Sequence, residues 1–140
     1  MPTNAQETGL HYFGPNSVPI TRGITITAGT SATAAAVTGS FLQASSAAPT
    51  HVEAQIYVKT ADTGGAASFS VGVTTAANEL ISGALLANAD VYLPASNAKG
   101  RARITADTPL YFKTGGTPAG TGVVELIYTA YSTNASNTAS

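Results

Sequence analysis

Hydrophobic and polar positions alternate with a period of two through much of this chain. The clearest run spans residues 51–59, where Val52, Ala54, Ile56 and Val58 fall on one side and Glu53, Gln55, Tyr57 and Lys59 on the other. That spacing predicts an extended strand buried on one face only. Ile24 and Ile26 alternate with threonines, Phe69, Val71 and Val73 share a second face, and residues 122–131 bring together Val124, Leu126, Tyr128 and Ala130. Shorter strands are predicted over residues 91–93, 100–105 and 110–113, with Pro94 closing the first of them.

Between these runs lie the residues that turn a chain. Ala61-Asp62-Thr63-Gly64-Gly65 separates two alternating segments, and the pair is predicted to form a hairpin. Residues 115–120 predict a flexible Gly-rich turn, and Ser45 to Pro49 a loop. Phe41 and Leu42 are expected to return to the core. Residues 28–37 fit strand, loop or short helix, and residues 79–86 carry the one apolar spacing compatible with a short helix, weakened by Ser82 and Gly83. Seven or eight short strands at intervals of about ten residues predict an all-β, single-domain antiparallel β-sandwich or jelly roll with a short N-terminal arm. The expected division is an arm over residues 1–19, a β-sandwich domain over 20–132 and a flexible tail over 133–140.

Composition changes what such a domain can do. Hydrophobic residues make up 44% of the 140, enough for one packed core. Charged residues are only 9%, and Ala, Thr, Ser and Gly fill more than half the chain. A surface made of hydroxyls, methyls and backbone is suited to contact with other proteins. A net charge of −1 gives no field to attract phosphates, so nucleic acid is not an expected partner. The nearest approach to a basic strip is Lys99, Arg101 and Arg103 at alternate positions. The chain has no cysteine, which removes disulfides, thiolate metal sites and Cys nucleophiles. No apolar run reaches the length of a membrane span, and residues 1–9 lack the basic and apolar regions of a secretory signal.

Several motifs invite a chemical reading and fit a plainer one better. Asp62-Thr63-Gly64 spells the aspartic-protease triplet, but Lys59, Thr60 and Ala61 precede it where those enzymes carry strongly apolar residues, and there is no second copy. It reads as a turn. Residues 115–122 are rich in glycine, yet a strand follows instead of the Lys and helix of a phosphate loop. His11 and His51 have no local partner spacing for zinc. There is no G-x-S-x-G pattern, so hydrolase chemistry is not expected. Asp62, Asp90 and Asp107 sit singly in turns, as turn formers more than as calcium ligands. Asn134-Ala135-Ser136 matches the glycosylation triplet, which arises readily by chance. No catalytic residue, metal, cofactor or small-molecule substrate is predicted.

One stretch carries a resemblance. Residues 91–131, above all Thr105-Ala106-Asp107-Thr108-Pro109-Leu110-Tyr111-Phe112-Lys113, then a Gly-rich turn and Val123-Val124-Glu125-Leu126-Ile127-Tyr128, resemble the C-terminal part of small structural proteins of tailed bacteriophages, most of all capsid decoration (cement) proteins. The resemblance covers about a third of the chain and includes no catalytic signature. It implies a non-enzymatic β-sandwich or jelly roll, often a homotrimer, that binds the major capsid protein on the outer capsid surface and stabilises the shell. Tyr12 and Phe13, an aromatic pair in the polar arm, would then be candidates for intersubunit or capsid contact. The alternative expectation is a glycan-binding or adhesive β-sandwich of a tail fibre, spike or cell surface, with Tyr57 and Tyr111 as its exposed aromatics. A third is another particle role, in a tail or at head completion.

Overall fold

A strand with one apolar face must bury it against a second layer, so alternation of this kind leads to two packed sheets. The computed structural model describes residues 19–94 and 100–132, and those residues form nine strands and no helix. They are β1 (Ile20–Thr27), β2 (Ala35–Ala36), β3 (Thr50–Thr60), β4 (Ser68–Gly72), β5 (Ile81–Leu85), β6 (Val91–Pro94), β7 (Arg101–Ile104), β8 (Tyr111–Gly115) and β9 (Val123–Ser132). The arm with His11, Tyr12 and Phe13, the tail from residue 133, and Lys99 lie outside the described residues.

One sheet runs β1-β9-β3-β6, with β7 also on β3; the other runs β2-β8-β4-β5. All pairings are antiparallel. β6 and β7 are two halves of one interrupted edge. Val91 to Pro94 lie opposite Val58 to Gln55, and Arg101 to Ile104 continue in the same direction opposite Glu53 to Thr50. With that edge counted once, the pairs nest: β4 with β5, β3 with β6 and β7, β2 with β8, β1 with β9. A long two-stranded ribbon wrapped into two sheets in this order is a jelly roll. Pro94 is tolerated because its missing N–H costs no ladder bond at an edge.

The inward rows meet as expected. Val52, Ile56, Val58, Val124 and Leu126 from one sheet face Phe69, Val71, Ile81 and Leu110 from the other side, all fully buried. Each such side chain contributes about 1.5–3 kcal/mol by leaving water. Phe69 stacks on Phe112 at a centroid distance of 5.5 Å. Buried Ser40 closes the seam, with its hydroxyl donating to Val37 O (2.6 Å) and accepting the Leu110 N–H (2.9 Å).

Three expectations need correction. β3 and β4 do not form a hairpin: they belong to opposite sheets, and residues 61–67 cross between them. Alternation fixes which way a strand faces, not which strand it pairs with. Residues 79–86 are not helical. β5 carries a bulge against β4, with a register shift between Phe69 and Val71 and Gly83 at φ 69°. The extra residue puts Ile81 and Ala84 three apart on the buried side, which imitates a helical spacing. Leu42 is buried, but Phe41 beside it stands 61% exposed.

Candidate functional site

Two regions hold the residues to which the sequence draws attention. The first is the crossing between the sheets at Asp62. The second is the outer face of the five-stranded sheet, formed by the polar members of the alternating pattern. The strand register arranges that face in rows. Thr25, Glu125, Tyr57 and Tyr92 make one, Gly23, Ile127 and Gln55 the next, and Thr21, Thr129, Glu53 and Arg101 the third. His51, Tyr131 and Arg103 follow, the two rings stacked at 5.5 Å. Most of these side chains are half-buried by their neighbours, and Tyr92 is 61% exposed.

Tyr57 and Tyr92 are directly opposite each other across β3 and β6, with ring centroids 4.8 Å apart and planes tilted by 47°. Cross-strand aromatic pairs of this kind stiffen a sheet face. The Tyr57 hydroxyl donates to Asp90 Oδ1. Asp90 is one of two non-glycine residues with positive φ among the described residues, at 64°, held there by its N–H donating to Val58 O at 2.7 Å. That conformation costs an L-residue roughly 1 kcal/mol or more and persists only where the surroundings fix it. Asp90 raises the Tyr57 phenol above its usual range, chiefly because the hydroxyl is donated to a carboxylate. Glu125, the other neighbour of Tyr57, leans over β1. A Cβ on Gly23 would meet its Oε2 at 2.6 Å.

Asp62 does something different. Its Oδ1 accepts the N–H groups of Gly64 (2.7 Å) and Ala119 (2.8 Å). Its Oδ2 accepts those of Gly120 (3.0 Å), Thr121 (3.0 Å) and Gly122 (3.1 Å). The side chain is 4% exposed, and its carboxyl is held down to about 2, with the Ala119 N–H as the largest cause and burial opposing it. A carboxylate whose lone pairs are committed to backbone donors cannot activate water, so the protease reading of Asp62-Thr63-Gly64 is excluded on geometry. Residues 115–122 are correspondingly no free turn; they are pinned to the crossing.

The other sequence-flagged residues do not converge. Tyr111 faces outward on β8, opposite Gly72, on the sheet away from Tyr57. Arg101 and Arg103 share the outer face on β7, and Arg101 meets Glu53 at 3.6 Å, an exposed pair worth about 1 kcal/mol at most. Asp107 accepts the Ala44 N–H at 2.9 Å and borders a shallow recess of about 350 Å³ with Gln43, Ser45, Ala48, Thr50 and Ser132. Sequence reasoning missed Tyr92 and the use of Asp90. Tyr92 reads there as one residue of a short strand, and only the pairing of β3 with β6 sets it beside Tyr57.

No protein-family model matches the chain, and neither a curated protein nor a solved structure matches it significantly.

Proposed function

We propose that this chain is a non-enzymatic structural protein of a virus particle, of the capsid-decoration type, which attaches to the major capsid protein on the outer surface of the shell and stabilises it. The observation that carries this reading is the outer face of the five-stranded sheet: a broad surface of Tyr, Thr, Ile and Gln side chains, with Glu53, Glu125, Arg101 and Arg103 as charges of both signs among them, that no element among the described residues covers. Such a face lends itself to many weak contacts, and Thr, Ser, Ala and Gly lose little side-chain entropy when ordered against a partner. The jelly roll is an architecture shared by viral capsid domains and lectins, which is analogy at the level of fold. The sequence resemblance over residues 91–131 adds to it. Attachment through several subunits of a homotrimer raises avidity without a tight individual site.

Cryo-electron microscopy of particles of the virus that encodes the chain tests this directly. The expected result is density for the jelly roll in many copies on the outer shell, where capsid subunits meet; absence from the particle overturns the proposal. Light scattering in solution is expected to give three times the 14.0 kDa chain mass. A monomer overturns the trimer.

A further inference from the structure

We propose that Tyr57, Tyr92 and Asp90 form a shallow carbohydrate-binding site for neutral hexopyranose units, on the rim of the five-stranded sheet's outer face. This goes beyond the particle role and does not depend on it.

Three observations carry the inference together. The first is the platform. Two tyrosine rings lie 4.8 Å apart on adjacent strands, and Tyr92 offers a ring that is 61% exposed. A pyranose presents one face of C–H groups that packs on such rings, while its hydroxyls stay at the edge, where polar groups can reach them. The second is the acceptor. Asp90 Oδ1 takes the Tyr57 hydroxyl, whereas Oδ2 makes no hydrogen bond among the described residues. An ionised carboxylate beside an aromatic ring is a strong acceptor for sugar hydroxyls, because charge-assisted bonds are roughly twice as strong as neutral ones.

The third is preorganisation. Asp90 is kept in a left-handed conformation that a non-glycine residue adopts at a cost, clamped by Val58 O at its N–H and by Tyr57 at its side chain. A turn alone does not require Asp here, since glycine or asparagine adopts this backbone more easily. What Asp adds is a carboxylate fixed at the edge of the rings before any ligand arrives. The charge around the platform selects the sugar. Asp90 and Glu125 flank Tyr57 with two negative charges, and the single cation of Lys59 at the β-bulge does not balance them, so uronates and sialylated glycans are disfavoured relative to neutral hexoses. Tyr111 belongs to no such site. Its cross-strand neighbours are Gly72 and Ala36, with no ring and no carboxylate.

A shallow site of two rings and one carboxylate holds a monosaccharide unit with a Kd on the order of 1 mM. The full chain is therefore tested on immobilised glucose, galactose and mannose oligosaccharides beside uronate and sialylated ones, followed by an NMR titration with the best neutral oligosaccharide. The expected result is binding to at least one neutral series, weakened tenfold or more in Tyr92→Ala and in Asp90→Asn and unchanged in Tyr111→Ala. Tyr57→Phe keeps the ring and frees Asp90, so it is expected to weaken binding several-fold without loss of fold, checked by the melting curve. Wild-type protein that binds no neutral oligosaccharide at millimolar concentration, that prefers acidic glycans, or whose binding survives Tyr92→Ala overturns the site.

Discussion

Asp62 and Asp90 occupy similar stretches of sequence, small residues around a single carboxylate between two strands, yet they serve opposite ends. Asp62 gathers five backbone N–H groups and is nearly sealed from water. Asp90 holds one phenol, bends its own backbone into an unfavourable region and, on an exposed residue, leaves its second oxygen without a hydrogen bond among the described residues. The first carboxylate is consumed by the fold; the second is presented by it. The difference lies in what surrounds each loop. Residues 117–122 fold over Asp62 and supply donors, whereas the loop before β6 stands at an exposed edge where the nearest groups are aromatic rings.

Asp62→Asn breaks the comparison most forcefully. The amide matches the carboxylate in shape, but its NH₂ group must confront either two or three of the N–H donors that the missing oxygen accepted, and buried donors left unpaired are expensive. A fall in Tm on the order of 10 °C or more is expected by calorimetry. A shift below about 3 °C would show that the clamp contributes little. The same contact sets an acid limit. The folded carboxyl sits at about 2, below its ordinary value of 3.8, so its stabilisation is complete above about pH 4 and is lost as pH falls through 2. The Tm gap between wild type and Asp62→Asn is therefore expected to be constant from pH 7 to 5 and to narrow between pH 4 and 2. A gap that stays constant throughout would remove the assignment.

Gly64→Ala attacks the same crossing from its packing side. A Cβ there overlaps the Thr117 carbonyl oxygen and lies 2.6 Å from Ala119 N, both backbone atoms with no freedom to swing aside. Separating the two segments costs about 1–3 kcal/mol and lengthens the bonds to Asp62. Urea titration is expected to show a lower midpoint with an unchanged slope. A midpoint equal to wild type would mean that the crossing gives way freely.

How far the sequence disclosed this molecule follows from the range of the interactions. Period-two alternation is local, and it located the inward rows of β3, β4 and β9, hence the all-β sandwich. Pairing is not local. Nothing in residues 51–73 says that β3 lies between β9 and the interrupted edge, so an apparent hairpin dissolves into a crossing. The bulge in β5 disturbed the one signal that was local, by spacing Ile81 and Ala84 three apart. Asp62 was legible as a turn residue, but four of its five partners stand 57 to 60 positions further on. Tyr57 was legible as an outward aromatic on β3; Tyr92 joins it only through a register that sequence does not print.

The smallest expected change in stability is the sharpest test of the contrast. Asp90→Gly removes the Tyr57 hydrogen bond and adds freedom to the unfolded chain, each a loss of up to about 1 kcal/mol. It also relieves a left-handed residue of a strain of roughly the same size, since glycine adopts φ near 64° freely. The terms cancel to within about 1 kcal/mol, so the melting curve is expected to stay within a few degrees of wild type. Neutral-sugar binding, by contrast, is expected to disappear with the carboxylate. Asp62→Asn should show the reverse at temperatures where it remains folded, with large destabilisation and intact binding, because none of the five hydrogen bonds to its carboxylate reaches Tyr57, Tyr92 or Asp90. If Asp90→Gly instead melts as early as Asp62→Asn, then both aspartates are structural pins and the second oxygen of Asp90 is incidental.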